Sequence, residues 1–233
     1  MFKNAFVRLA ATTLAAVLFS ASAHAMGIQP ETSVVLVHED SGEGTIGIKN
    51  TGDEPVLLVS MIENIPEDEE GWVMVSPPAA VLAPGKTQLV RFLLTNEKPL
   101  ATQRMKRAIF EGIPQSGDQS NKLRLTIRQD LPLIALPKSI ANDNAPWRHL
   151  QWSARDGKLS VHNPSPYIVR LDQQVHVQPA NQALILPKTY VLPGETLQLA
   201  STGAPPAGQT AVRLYPASVY GYQVSSFDAP LKN

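Results

Sequence analysis

The 233-residue sequence contains no cysteine, which excludes disulfide bonds, cysteine–zinc sites and thiol catalysis. Charged residues make up only 17% of the chain, and 20 basic side chains balance 20 acidic ones. A formal net charge of zero gives no electrostatic reason to expect binding to nucleic acid or to anionic lipid. After the first 25 residues the sequence also has no long apolar run, so no membrane insertion is expected.

The first 25 residues have the pattern of a secretory signal. Lys3 and Arg8 supply positive charge, and a largely apolar run from Leu9 to Phe19 follows them. Ala23-His24-Ala25 forms an A-x-A cleavage site. A membrane anchor would need about 20 consecutive apolar residues. We therefore predict a cleaved signal peptide, residues 1–25, and export of the remaining chain.

The rest of the chain has the composition of an all-β protein. Apolar residues make up 43% of the full chain, and all 20 prolines and 14 glycines fall after the first 25 residues and are spread along the rest. Alternation of apolar and polar residues predicts short strands joined by turns. In the first half these are Val35–Val37, Gly44–Lys49, Val56–Ile62, Trp72–Val75, Thr87–Leu94, Arg107–Glu111 and Leu123–Leu136. In the second half they are Leu150–Ala154, Lys158–Val161, Ile168–Val177, Leu184–Leu186, Tyr190–Leu192, Thr196–Leu199, Val212–Tyr215 and Gly221–Val224.

A polar break from Ala141 to Pro146 divides these strands into two groups. Seven strands in about 110 residues are typical of an immunoglobulin-like sandwich. The segments Val81–Thr87 and Val191–Thr196 share an apolar pair that enters a Pro-Gly turn, which favours two related sandwiches. We predict two immunoglobulin-like domains, residues 26–140 and 146–233.

The sequence offers little catalytic chemistry. His38, His149, His162 and His176 are not at metal-ligand spacings, and no phosphate-binding, dinucleotide or nucleophile-elbow motif is present. The acidic run Glu67–Glu70 lacks the glycine and terminal glutamate of a calcium loop, so we expect it to be solvated. No cofactor, metal or enzymatic activity is expected.

One predicted strand has the features of an edge that receives a partner. Leu123, Leu125 and Ile127 alternate on one face, after a polar segment at 115–121. Pro132 cannot donate a ladder hydrogen bond, so this part of the strand should lie at a sheet edge or at a switch between sheets. The alternative is an ordinary half-buried strand. A long edge strand favours aggregation unless it pairs with a partner, and the free protein could self-associate through it.

Five segments carry a resemblance by their sequence, order and spacing: Leu89–Phe92, Ile109–Pro114, Asn121–Ile127, Leu133–Pro137 and Asn163–Tyr167. Together they resemble the periplasmic PapD-like chaperones of pilus assembly. The resemblance implies two immunoglobulin-like domains set at an angle, with a cleft between them, and a location in the periplasm. It also implies that pilus or fimbrial subunits bind by donor-strand complementation, with Leu123, Leu125 and Ile127 filling the subunit's open groove. An outer-membrane usher would then receive the loaded chaperone.

The sequence departs from the family at the cleft. The family anchors the subunit's terminal carboxylate with an Arg and a Lys, and their positions hold Ser33 and Pro132 here. Leu136 replaces the Arg of an interdomain ion pair. If the strand at 107–111 pairs with the one that contains Pro132, then Arg104, Lys106 and Arg107 lie near the cleft and form a candidate substitute anchor. The alternative is that these three side chains are solvated.

Two other functions fit the sequence less well. A structural or adhesive fibre component should carry an N-terminal extension of alternating apolar residues, and Met26–Glu31 is too short for one. A secreted hydrolase would need a polar constellation that the sequence does not show.

Overall fold

The computed structural model describes residues 27–114, 126–155, 158–199 and 208–232 of the chain. The first half holds nine strands: β1 Ile28–Pro30, β2 Val35–His38, β3 Glu43–Asn50, β4 Val56–Glu63, β5 Val73–Ser76, β6 Ala79–Leu82, β7 Thr87–Leu94, β8 Arg104–Pro114 and β9 Ile127–Leu136. The second half holds β10 Gln151–Arg155, β11 Lys158–His162, β12 Val169–Arg170, β13 Gln174–Gln178, β14 Gln182–Ile185, β15 Tyr190–Val191, β16 Thr196–Gln198, β17 Ala211–Leu214 and β18 Phe227–Lys232. A 3₁₀ turn, Pro146–His149, precedes β10. The predicted all-β fold is confirmed.

The first sandwich is one long sheet that folds over on itself. Its strand order is β5-β7-β3-β2-β9-β8-β4-β6, and β1 pairs with β3. The sheet bends over between β3 and β2, which are joined only by the pairing of His38 with Glu43. Alternate side chains such as Val35, Ile46 and Phe110 point between the layers and form a continuous buried core.

The second sandwich has its own core. A seven-stranded sheet in the order β14-β13-β17-β18-β10-β11-β16 packs with the short β12-β15 pair. Trp152, Val161 and Val212 are fully buried at its centre. Because each half encloses a separate core, the prediction of two sandwiches is also confirmed.

The same buried asparagine arrangement occurs once in each sandwich. Asn50 donates its side-chain amide to the carbonyls of Glu54 and Leu82 at 2.9 and 3.0 Å. Asn163 donates in the same way to the carbonyls of Tyr167 and Val191. The main-chain carbonyls of the two asparagines accept the amides of Gly85 and Gly194, whose φ angles of 70° and 74° suit glycine. The repeat seen around the two Pro-Gly turns therefore extends to equivalent tertiary contacts.

Some predicted elements differ from the structure. Gly221–Val224 is not a strand, because residues 217–223 form a closed turn that the pairing of Ala217 with Gln223 completes. The last strand, β18, was not predicted because it contains a proline at position 230, and the short strands β1 and β6 were not predicted either. The predicted strand Arg107–Glu111 forms the middle of the longer strand β8.

Candidate functional site

Strand β9 has an edge that its own sandwich only partly covers. On one side it pairs with β8 along its length, from Ile127 opposite Gly112 to Ala135 opposite Arg104. On the other side β2 pairs in parallel with Leu133–Leu136 alone. Among the described residues, the edge from Ile127 to Pro132 therefore has no neighbouring strand, and Pro132 lies where the sequence placed a free edge.

Along β9, the side chains on the inward face range from fully buried near Ala135 to half-buried at Ile127. Leu133 and Ala135 are fully buried, Leu131 packs against the core, and Ile127 is half-buried. A Cβ added to Gly27 would lie 2.7 Å from Cδ1 of Ile127, so the backbone at residue 27 covers part of this side chain. Leu123 and Leu125 lie outside the described residues, and their place on the same face remains a prediction from alternation.

Apolar side chains join the two sandwiches beside this edge. Val34, Met105 and Ile134 of the first sandwich pack with Ile168 of the second, and all four are buried. Leu136 packs against the same cluster. The position at which the family has an interdomain arginine is thus occupied here by part of an apolar contact.

Hydrogen bonds across the same contact fix its register. The amide of Gln103 donates to the carbonyl of Pro166 at 2.9 Å, and its side-chain oxygen accepts the amide of Ile168 at 2.8 Å. Because these bonds run in both directions between neighbouring segments, they resist sliding of one sandwich over the other.

The acidic run was expected to be solvated, and this was wrong for Asp68, which is largely buried, while Glu67 and Glu70 are exposed but form ion pairs. Glu67 pairs with Lys188 and accepts a hydrogen bond from the hydroxyl of Tyr190 at 3.1 Å, both from the second sandwich. Burial acts to raise the pKa of Glu67, but these bonds outweigh it and the pKa lies below its usual value. Burial and the Glu67 carboxylate raise the pKa of Tyr190 to about 12. The run therefore links the two domains.

Asp68 is the centre of a buried charge network. It accepts two hydrogen bonds from Arg104, at 2.6 and 2.8 Å, and one from the indole of Trp72 at 3.1 Å. Lys106, whose side chain is only 1% exposed, donates to Asp68 and to the Asn64 side chain. Burial opposes ionisation of Asp68, but the two cations more than compensate and its pKa is lowered. The network fixes the loop at 64–70 to β8.

The three residues of the candidate anchor fall into two groups. Arg104 and Lys106 lie on one face of β8, where both pair with Asp68 and Arg104 also pairs with Glu70. Arg107 lies on the other face, opposite Pro132, and pairs with Asp130 at 2.6 Å with about a quarter of its side chain exposed. Of the three, Arg107 is the one best placed to meet a ligand at the β9 edge.

Sequence reasoning missed a fourth cation, Arg170 on β12. Its guanidinium donates to the carbonyls of Ser218 and Val219 at 2.7 and 3.1 Å, and in the described parts of the chain it has no carboxylate partner. Burial and the charge of Arg107 both lower its pKa. Two neighbouring arginines, one of them half-buried without a carboxylate partner among the described residues, form a site at the cleft that would be stabilised by an anion. No motif around Arg170 marks this role in the sequence.

Comparison with known families identifies the fold and its family. Residues 27–141 match the family model "Pili and flagellar-assembly chaperone, PapD N-terminal domain", and residues 145–227 match "Pili assembly chaperone PapD, C-terminal domain". This chain belongs to the PapD-like family of pilus assembly chaperones.

Individual relatives agree with this family. The chain is 39% identical over 209 residues to the uncharacterized fimbrial chaperone YhcA of Escherichia coli. The aligned region covers 89% of this chain and 92% of that protein. It is 26% identical to the chaperone protein MrkB of Klebsiella pneumoniae, over 67% of this chain and 72% of that protein. A chain in the structure of the Salmonella enterica SafA pilin in complex with the SafB chaperone superimposes with a TM-score of 0.73 at 19% identity, covering 90% of this chain and 99% of that chain.

These findings confirm several of the predictions. The protein is a PapD-like chaperone of pilus subunits, and a structural component of a fibre is not favoured. The family is periplasmic, and in the ranges that the structure describes there is no helix long and apolar enough to cross a membrane.

The Asp68 network gives a pH-dependent prediction. We expect Asp68→Asn to lower the free energy of unfolding by about 3 kcal/mol at pH 7, because the buried Lys106 loses its charged partner. The pKa of Asp68 is lowered from 3.8 in the folded chain, so this stabilisation is present above pH 3.8 and is lost as the pH falls through the lowered value. Urea unfolding at a series of pH values should show the difference from wild type shrinking below pH 3.8.

A matched variant tests the cause of this loss. Adding Lys106→Met to Asp68→Asn removes the uncompensated charge and should recover part of the stability. An equal loss at neutral and at acid pH, or no recovery in the double variant, would contradict the proposed role of the ion pair.

Proposed function

We propose that this chaperone, once residues 1–25 are removed, binds a pilus subunit in the periplasm through the free edge of β9. The observation that carries the proposal is that β2 covers only the last four residues of that strand. A subunit strand can therefore form main-chain hydrogen bonds along Ile127–Pro132 and the residues before them. The division into domains 26–140 and 146–233 is part of the proposal, and the role assigned to the chain is binding, with no catalytic step.

Side chains on the inward face would supply most of the affinity. Leu123, Leu125 and Ile127 alternate with polar residues, so all three would enter the open core of a subunit that lacks a strand. Full burial of such side chains is worth about 1.5–3 kcal/mol each before ordering costs. Three of them can hold a subunit firmly and still allow its transfer. When no subunit is bound, the same edge could pair with a second copy of this chaperone.

Adjacent substitutions on opposite faces test this proposal. Leu125→Asp should abolish co-purification with the cognate subunit, because it would bury an uncompensated carboxylate in the subunit's groove. Thr126→Asp is the matched control, since Thr126 is exposed and alternation predicts that its side chain lies on the face opposite Leu125. The chaperone is co-expressed with each small secreted protein encoded near its gene, and the soluble complex is measured. Equal binding by the two variants would refute the assignment of the face.

The subunit's terminal carboxylate is proposed to bind at Arg107 and Arg170. Both lie at the cleft end of β9, and neither position is the one that the family uses. A carboxylate between two guanidinium groups would form charge-assisted hydrogen bonds and relieve their mutual repulsion. Arg104 and Lys106 belong to the same basic region, but in this proposal they act through the loop at 64–70.

Charge reversal at Arg107 tests the anchor. We expect Arg107→Glu to remove co-purification of the subunit and to leave the chaperone folded, because the side chain is partly exposed. Arg213→Glu is a matched control, since Arg213 forms the same kind of pair with Asp228 in the second sandwich. Circular dichroism verifies folding of both variants. Undiminished recovery of subunit with Arg107→Glu would end the proposal.

An outer-membrane usher is the proposed receiver of the loaded chaperone. Val81, Leu57 and Ile113 face each other across β6, β4 and β8 and are 65%, 37% and 41% exposed. Such a contiguous apolar row on a surface is typical of an interaction site. Ile113 follows Gly112, which pairs with Ile127, so a protein bound to this row would lie next to the subunit.

Loss of this apolar row should separate binding from assembly. Val81→Asp should leave the chaperone–subunit complex intact and sharply reduce the pili recovered by shearing from the cell surface. Met74→Asp, at a side chain 53% exposed on β5, is the control and should assemble pili normally. Normal surface assembly with Val81→Asp would exclude this face as the usher contact.

A further inference from the structure

A closed turn of the second sandwich extends over the cleft to the first. Residues 217–223 connect β17 to β18, and the amide of Ser218 donates to the carbonyl of Tyr222 at 2.7 Å. Ser218 also accepts the amides of Gly221, at its carbonyl, and of Tyr222, at its hydroxyl. These short-range bonds give the turn a defined shape.

Two contacts fix the position of this turn. Arg170 holds its base through the carbonyls of Ser218 and Val219. At its tip the hydroxyl of Ser33 donates to the carbonyl of Tyr220 at 3.3 Å, and a Cβ added to Gly221 would lie 2.1 Å from that hydroxyl oxygen. Gly221 has a φ of 88°, a left-handed conformation that favours glycine, and a larger side chain at this position would clash with Ser33. The turn thus contacts Ser33, which lies two residues before the start of β2.

Two tyrosines project from the turn into solvent. Tyr220 is 60% exposed and Tyr222 is 72% exposed, and no hydrogen bond of either hydroxyl occurs within the described chain. They form one wall of a groove of about 470 Å³, and β2 with the turn that follows it forms the other. Exposed tyrosines that need no internal partner are typical of contact surfaces, because each offers a large apolar ring and a polar hydroxyl.

The groove begins beside the end of the free β9 edge, because Thr32 and Val34 line it and β2, which follows them, occupies that edge from Leu133 on. A subunit strand paired with Ile127–Pro132 must leave the sheet at Leu133, because β2 occupies the edge from there on. On the inner side, the closed core around Val35 and Val37 blocks its path. On the outer side, the groove under the two tyrosines remains open to it.

We propose that Tyr220 and Tyr222 bind the last few residues of the subunit's final strand. The inference rests on the proposed function, since it assumes that a subunit strand lies along β9 and ends at the cleft. The second sandwich then contributes directly to subunit selection, and bulky or aromatic side chains near the subunit's end are favoured over small ones. Ser33, at a position where the family has an anchoring arginine, instead supports the turn that carries the tyrosines.

Peptide binding separates this contact from the charged anchor. The probe is a fluorescent peptide with the sequence of the final strand of the subunit that co-purifies with wild type, prepared with an amidated end so that Arg107 and Arg170 meet no carboxylate. The double variant Tyr220→Ser, Tyr222→Ser should bind it about tenfold more weakly than wild type. A peptide shortened by three residues should bind equally to both proteins.

Controls make each outcome decisive. Ile185→Ser, at a side chain 50% exposed on β14, should bind both peptides like wild type. The single variant Tyr222→Ser, at the more exposed ring, replaces the double variant if the latter is unstable. Equal binding of the amidated full-length peptide by wild type and tyrosine variants would overturn the proposal and leave the β9 assignment standing. If wild type binds neither peptide, the β9 assignment fails and this inference fails with it.

Discussion

The short length of β2 is the constraint on which the binding surface depends. The strand begins at Val35 and pairs in parallel with Leu133–Leu136. It therefore closes the core where the two sandwiches meet and does not extend along the earlier part of β9. The preceding part of β9 is held by β8 alone. One sheet therefore contains a rigid half, which fixes direction and register, and an open half, which can accept a strand from another protein. A longer β2 would complete the sandwich and cover the edge at which we propose that a subunit binds.

Contacts of several different kinds at one interface hold the two sandwiches in position relative to each other. An apolar cluster brings them together, Gln103 sets their register, and Glu67 and Asp68 bind to opposite sides of the contact. The family's interdomain arginine is absent, and a loop with two adjacent carboxylates replaces it. Because the same contact positions Arg107, Arg170 and the turn at 217–223, the geometry of the cleft depends on the loop as much as on the strands.

Alternation and turn chemistry were enough to predict the all-β fold, the two sandwiches and most strands from the sequence. The edge at Pro132 was also predictable, because proline lacks the donor that a central strand requires. Arg170 and the acidic loop were not, since their roles arise from contacts between residues 36 to 123 positions apart in the chain. Strand β18 was missed because its proline reads as a breaker, although β18 lies inside its sheet and pairs with both β17 and β10.

The matching asparagines of the two sandwiches have a wider consequence. Asn50 and Asn163 each tie their own Pro-Gly turn to their own core, and neither contacts the other half. Each sandwich therefore holds its own turn with its own side chain and needs nothing from the other half to do so. Because the cores are independent in this respect, the outer surface of each half can serve a separate role, which we propose is subunit binding in the first sandwich and recognition of the subunit's end in the second.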